Sequence, residues 1–402
     1  MSAPGVGLTR QLLPIYLPSV LYGVGQGAVI PVLALSARAL GASLGVAGLV
    51  VAMAGLGQIA GDLPAGQLAA RYGERRAMLA ATAVSVLALV ACALAGSVLA
   101  LGAAVFCLGL TGAVWGLARQ AYLTEAVPVS MRARALSTLG GSHRIGMFAG
   151  PFLGAPAIDR WGISAAYWVH VVAAGLACVA LLTLPEVDRR SPATAAGGGS
   201  TTLRAVVRAH LPVLRTLGLG VLLVAAVRAS RQVVVPLWAE HLGLTPAATS
   251  LVFGISGAVD MLLFYPAGQV MDRFGRAFVA VPSMVVLGLA HLLLPLSTGW
   301  TSLLVVAVVM GLGNGIGSGI VMTLGADASP DVGRAQFLGA WRLCADAGNA
   351  AGPLTVSAVT AAVALGPAIL VMGGVSLVGA VLLGRWAPRF DPVSRWAVGG
   401  RR

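Results

Sequence analysis

Lysine is missing from this chain altogether, and all 26 basic residues are arginines. A phosphate-binding loop of the Gly-Lys-Ser/Thr kind is therefore excluded, and with it ATP hydrolysis by that route. Charged residues of both signs make up only 10% of the chain, against about 25% in soluble domains. That is too little to coat a water-soluble surface. The four cysteines, Cys92, Cys107, Cys178 and Cys344, are single and lie in apolar stretches without metal or disulfide spacing, so they read as small packing residues. Neither a metal nor a cofactor is expected. No nucleophile with a neighbouring base is recognisable, so an enzyme is not expected either.

Apolar sequence fills the space that charge leaves. Hydrophobic residues make up 58% of the 402 positions and the mean hydropathy is +0.91. Uncharged runs such as 11–37, 77–118 and 277–326 meet or exceed the roughly 20 residues that one spanning helix needs. Split at Gly96-Ser97, Ser297-Thr298-Gly299 and Leu365-Gly366-Pro367, the runs predict an all-α membrane protein of twelve spans. These fall near 12–35, 46–69, 76–95, 98–125, 134–158, 163–184, 212–239, 247–270, 277–297, 300–326, 333–361 and 364–386. The first run is too long for the 7–15-residue core of a signal peptide and reads as a span.

With the N-terminus inside, 19 arginines fall on the cytoplasmic side, two outside (Arg38 and Arg160) and five within spans. Both termini are expected to be cytoplasmic, in the cell inner membrane. The net charge of +13 is thus a matter of topology, and no nucleic-acid partner is expected; the partners are the lipid bilayer and a small molecule.

The second half repeats the first at a constant offset of 202 residues. Pro64-Ala65-Gly66-Gln67, Arg71 and Gly73 recur as Pro266-Ala267-Gly268-Gln269, Arg273 and Gly275; Gly109, Gly146, Gly150 and Pro151 recur as Gly311, Gly348, Gly352 and Pro353. In so apolar a chain this predicts two matching six-helix bundles with a pathway at their pseudo-symmetry axis. The bundles span 1–184 and 212–402, joined by a cytoplasmic linker at 185–211. Leu203, Val206, Val207, His210 and Leu211 alternate with Arg204 and Arg208 at helical spacing, which fits a helix on the inner membrane surface; a solvated linker fits equally well.

The run Gly66-Gln67-Leu68-Ala69-Ala70-Arg71-Tyr72-Gly73-Glu74-Arg75-Arg76 resembles the loop signature between helices two and three of the major facilitator superfamily. Gly268-Gln269-Val270-Met271-Asp272-Arg273-Phe274-Gly275-Arg276 resembles the corresponding loop between helices eight and nine. The first copy has Ala70 where the family has an aspartate, and Asp272 keeps it, so the resemblance implies a weaker inner latch in the N-terminal half. Gly146-Met147-Phe148-Ala149-Gly150-Pro151-Phe152-Leu153-Gly154 resembles the antiporter signature of the family's drug-exporting branch, which implies export. A packing motif kept by duplication is the competing reading, because Gly348, Gly352 and Pro353 repeat it. The branch's usual fourth-helix arginine is absent, with Val105 in its place.

Charges within spans each cost about 2.5–3.5 kcal/mol at mid-bilayer and so need partners or water. They are Asp62, Arg119, Arg144, Arg228, Arg231, Asp260, Arg342 and Asp346. Arg342 and Asp346, four apart, can pair along one helix face. The family fold implies that Arg144 meets Asp260 and that Asp62 approaches Arg342 or Asp346; permanent structural ion pairs are the alternative. Asp260, Asp346 and Asp62 are the proton-coupling candidates, since a carboxylate in a low-dielectric site can carry a proton.

Arg228, Arg231 and Arg119, with Tyr22, Gln26, Trp115 and Asn314, are the substrate-binding candidates, and the surplus of arginine favours an anionic group. His143 can titrate, whereas His170 and His291 read as packing. Arg144, Arg342, Gly66, Arg71, Gly73, Asp272, Arg273, Gly275, Gly146, Gly150 and Pro151 are the gating candidates. The expectation is a monomeric, proton-coupled exporter of a small amphipathic compound working by alternating access. An organic-anion carrier and a non-transporting membrane sensor are the rivals.

Overall fold

Hydrocarbon offers no water to a backbone amide, so a chain this apolar has to satisfy its N–H and C=O groups within each segment. The computed structural model describes residues 4–127, 131–184, 203–330 and 332–391, and among them no strand occurs. The helices are α1 (Pro4–Val29), α2 (Leu33–Ala39), α3 (Leu44–Tyr72), α4 (Glu74–Ala93), α5 (Val98–Ala126), α6 (Arg132–Trp161) and α7 (Ala165–Leu182), then α8 (Leu203–Ala209) and α9 (Leu211–Val213). The second set is α10 (Leu219–His241), α11 (Pro246–Phe274), α12 (Ala277–Leu293), α13 (Trp300–Ile316), α14 (Ile320–Ala328), α15 (Arg334–Ala362) and α16 (Leu365–Trp386). Serine side chains cap the starts of α3 and α5. Ser43 Oγ accepts from Val46 N at 3.3 Å and Ser97 Oγ from Ala100 N at 3.2 Å, each satisfying an orphan donor of a first turn.

Several expected spans are not continuous α-helix: the seventh passes through a π-helical stretch at Leu214–Gly218 and the ninth ends in a 3₁₀ turn at Leu294–Leu296, and the first and tenth are interrupted. The first stops at Val29, passes through a 3₁₀ turn over Ile30–Val32 and resumes as α2, because Pro31 lacks an N–H and cannot continue the ladder. The tenth stops at Ile316 and resumes at Ile320. Among the described residues ten helical stretches have the length and apolarity of a membrane span. The two other long helices, α6 and α15, carry Arg132, His143, Arg144 and Asp159, and Arg334, Arg342 and Asp346. They occupy matching places in the two halves and are the most polar of the long helices. Most of the linker, residues 185–202, lies outside the described residues; its end forms α8, which packs on α15 with Val206 buried and Arg208 exposed.

Contacts divide the chain into two compact units, Met1–Asp188 with Gly243–Gly254, and Arg189–Leu242 with Ile255–Arg402. Within the first, α1 packs on α6 and α7, α3 on α5, and α4 on α5 and α7; within the second, α10 packs on α15 and α16, and α12 on α13 and α16. The helix pairing of one half thus recurs in the other. Glycines set these crossings, since a Cβ at Gly146 or Gly150 would strike the backbone of α1 at Val20 or Val24, and one at Gly348 or Gly352 would strike α10 at Leu222 or Ala226. Without side chains in the way, the backbones approach closely. Pro151 and Pro353 follow within these helices.

Gly66 and Gly268 differ, because a Cβ on either would meet nothing within 4 Å. Gly150→Ala and Gly352→Ala are therefore expected to lower the melting temperature of the purified protein, at a cost of about 1–3 kcal/mol each for an overpacked crossing. Gly66→Ala and Gly268→Ala should leave it unchanged or slightly raised. Thermal melting of the four variants side by side checks the contrast.

Candidate functional site

A charge or amide held away from water must find its partner on a neighbouring helix, and the second unit shows several such matches. Asp260 on α11 accepts from Asn314 Nδ2 on α13 at 2.7 Å, and it lies near enough to Arg231 on α10 to attract it. Arg231 Nη2 donates to Ser256 Oγ at 3.0 Å, and that hydroxyl donates to the Ala307 carbonyl at 2.5 Å. Arg228, one turn earlier on α10, donates through Nη2 to the Gly317 carbonyl at 2.7 Å. Gly317 caps the end of α13, and its carbonyl, which accepts from Ile320 N at 3.2 Å, offers its second lone pair to the guanidinium. On α15, Arg342 Nε lies 3.4 Å from Asp346 Oδ2, with Asp346 buried. His291 joins Ser230 Oγ at 3.1 Å and the Leu287 carbonyl at 2.8 Å.

In the first unit the corresponding region is aromatic. The rings of Tyr22 on α1 and Trp115 on α5 stack with centroids 4.2 Å apart, and His170 meets Tyr22 edge-on at 5.7 Å. The guanidinium carbon of Arg119 lies 4.8 Å from the Trp115 centroid. His143, beside Arg144 on α6, lies 6.4 Å from Tyr22. Gln26 and Ser85 are within hydrogen-bonding reach of the Tyr22 hydroxyl. Asp62 on α3 accepts from Gln58 at 3.4 Å. The two pairs expected between the halves divide between the units: Arg144 and Asp62 belong to the first, and Asp260, Arg342 and Asp346 to the second.

The two loops carrying the repeated signature are built alike and anchored differently. Gly73 and Gly275 have φ of +90° and +96°, a conformation that glycine adopts without penalty, and each joins two long helices with almost no connecting residues. Arg71 and Arg273 lie over the adjacent rings of Tyr72 and Phe274. After Gly73, Arg75 donates to the carbonyls of Leu181 and Leu182 at the end of α7, at 3.2 and 2.7 Å. After Gly275, Arg276 Nε meets Asp327 Oδ2 at 2.8 Å and Nη1 meets Asp272 Oδ1 at 3.3 Å. The Asp391 carboxylate, nearly buried, accepts from the Arg276 backbone N–H at 2.8 Å. Partial burial works against the Arg276 charge, but the hydrogen bond from Asp327 and the charges of Asp327, Asp391 and Asp272 hold its guanidinium above its ordinary pKa.

The family model described as Major Facilitator Superfamily matches the chain twice, over residues 15–227 and 217–401. The chain belongs to the Major Facilitator Superfamily. It is a multi-pass membrane protein of a transporter family, and two of the relatives it matches are named for drug resistance. It is 33% identical over 140 residues to the multidrug resistance protein Stp of Mycobacterium tuberculosis, covering 35% of this chain and 26% of Stp. It is 28% identical over 176 residues to the multidrug resistance protein MdtG of Erwinia billingiae, covering 43% of this chain and 41% of MdtG. The match thus spans less than half the length of these curated relatives. Among solved structures, the nucleoside transporter NupG superposes with a TM-score of 0.75 at 14% identity, covering 94% of this chain and all of NupG. A POT family transporter reaches 0.76 at 13% identity, covering 95% of this chain and 96% of its own. Both establish the major facilitator fold.

Reasoning from sequence missed Gln58, Arg276, Asp327 and Asp391. Gln58 stands 202 residues before Asp260, so the repeat could have found it. The partners of Arg276 lie 51 and 115 residues away and left no signal in its own loop. Asp272, the expected latch residue, has a side chain 77% exposed, whereas those of Arg276 and Asp327 are 10% and 17% exposed. The loop of this half is therefore anchored on Arg276, with Asp327 and Asp391 as its better-buried partners. Arg276→Gln should cost about 3 kcal/mol, near the lower end for breaking a buried pair, while Asp272→Ala should cost about 0–1 kcal/mol, as an exposed pair does. Thermal melting of the two variants at low and high salt checks the order.

Proposed function

We propose that this chain is a proton-coupled exporter of a small amphipathic compound, working as a monomer by alternating access in the cell inner membrane with both termini cytoplasmic. The observation that carries the reading is Asp260, a carboxylate in mid-helix on an apolar span, held by the neutral amide of Asn314 at 2.7 Å and attracted by Arg231. An ionised Asp260 accepts from Asn314 and attracts Arg231; a protonated one loses the attraction, and Arg231 retains Ser256. Protonation thereby redistributes bonds among α10, α11 and α13, and a change of bonding partners is what couples an ion to a conformational equilibrium. Asp346 is less free to exchange a proton, being buried and paired with Arg342 on its own helix.

The antiporter-like run around Gly146, Gly150 and Pro151 and the drug-resistance names of the relatives support the outward direction. The polar face of α15, with Arg342 and Asp346, and that of α6, with Arg144, supply the gating charges. Asp260→Asn in proteoliposomes should abolish accumulation driven by a pH gradient while leaving gradient-independent exchange intact, assayed with a panel of cationic, neutral and anionic aromatic compounds. Gradient-driven accumulation at the wild-type rate in Asp260→Asn would remove Asp260 as the proton carrier. Accumulation that persists after the gradient is collapsed would remove proton coupling itself.

A further inference from the structure

Among the described residues, Arg119 is the arginine with two buried guanidinium nitrogens, Nε and Nη1, that lack an acceptor. Arg228 and Arg231 each leave only Nε unmet and are engaged elsewhere, with the Gly317 carbonyl and with Ser256, and Arg342 is engaged with Asp346. Stacking on Trp115 at 4.8 Å stabilises the face of the guanidinium but leaves its in-plane N–H groups unmet. Trp115 itself is 1% exposed, and its Nε1 also has no acceptor. Arginine and the indole N–H are donors only, so nothing but an acceptor satisfies this pair. Among the described residues no carboxylate accepts from these nitrogens. Tyr22 and Gln26 come from α1, Ser85 from α4, and His143, with Nδ1 unmet, from α6; Asp62 on α3 accepts from Gln58. Gly116, one turn before Arg119, faces open space, since a Cβ there would meet nothing within 4 Å.

An unpaired buried guanidinium is costly and persists only where something is gained by it. We infer that Arg119 and Trp115 form a subsite for the acidic group of an organic anion, a carboxylate, sulfonate or phosphate. The word substrate rests on the transport reading above; the binding itself does not. The guanidinium fork supplies two charge-assisted hydrogen bonds to such a group, and Trp115 Nε1 supplies a third donor. The same acidic chemistry is present on an anionic lipid headgroup, so the source has to be separated by experiment.

The full chain in zwitterionic phosphatidylcholine nanodiscs is titrated calorimetrically with benzoate and naphthalene-2-sulfonate, and with benzylammonium and benzyl alcohol for contrast. The anions should bind in preference to the cation and the alcohol. Arg119→Gln should weaken anion binding about tenfold or more, the worth of a lost charge-assisted bond, and Trp115→Phe, which keeps the ring, should weaken it about threefold to tenfold. Without ligand, Arg119→Gln should melt at the wild-type temperature or above, because it removes an unpaired charge; a scaffold arginine would give the reverse.

Equal binding of anion and cation, an Arg119→Gln dissociation constant equal to the wild type's, or a lower melting temperature for unliganded Arg119→Gln would each overturn the proposal. So would a melting temperature raised by phosphatidylglycerol nanodiscs in an Arg119-dependent way while the soluble anions fail to bind, which would assign the site to lipid. The titration is made at equilibrium without a gradient, so loss of proton-driven transport leaves it standing, and absence of anion binding leaves proton coupling standing.

Discussion

The cost of leaving a polar group unmet in hydrocarbon governs this molecule at every level. It forces the backbone into helices, and it decides what happens where a helix is interrupted. At the end of α13 the Gly317 carbonyl accepts from both Ile320 N and Arg228, so the second lone pair of a backbone acceptor serves a buried cation. Asp260 finds Asn314 and Arg342 finds Asp346 for the same reason. Against that background the unmet nitrogens of Arg119 and Trp115 are departures from the rule, and departures in a folded core point to function.

Duplication has kept the packing and released the chemistry. The glycines that let α6 meet α1 recur where α15 meets α10, because a methyl group at such a crossing would displace a whole helix. Positions on the polar faces face no such demand. Gln26, Gln58, Gly112 and Trp115 stand in the first half at the positions of Arg228, Asp260, Asn314 and Gly317 in the second. The charges named in the second half find partners on its own helices, whereas the first half sets aromatic rings beside a cation. One ancestral framework thus serves two chemistries: a carboxylate that can exchange its partners and a donor cluster that lacks one.

The spans were legible because each is long, apolar and punctuated by Gly, Ser or Pro, and the expected ends fall within a few residues of the observed helices at most junctions. Arg342 and Asp346 were legible as a pair because both sit on one helix face. Alternate residues from Gly311 to Gly319 are glycine, and they do not all serve one purpose. Gly311, Gly313 and Gly315 are packing glycines whose Cβ atoms would strike Ser256, Leu287 and Asp260 or Leu263, while Gly317 and Gly319 flank the break. Close packing and helix interruption select the same residue, so composition cannot separate them. Nor could sequence foresee that Asn314 meets Asp260, since nothing in either span fixes how its helix is rotated.

The inner loops show how one turn can be held by two kinds of force. Gly73 and Gly275 make the same bend, but Arg75 is held by carbonyls at the end of α7, where the helix dipole favours a cation. Arg276 is held by carboxylates from α11, α14 and the segment after α16. A carbonyl cannot be protonated and carries no counter-charge to be screened, whereas an ion pair depends on both conditions. The missing aspartate at Ala70 is thus one part of a wider substitution, in which Glu74 stands at the position of Arg276 and the anchor moves to the next residue. The first loop is anchored by dipoles and the second by charge, so conditions that neutralise carboxylates act on the anchor of Arg276 and leave that of Arg75 in place.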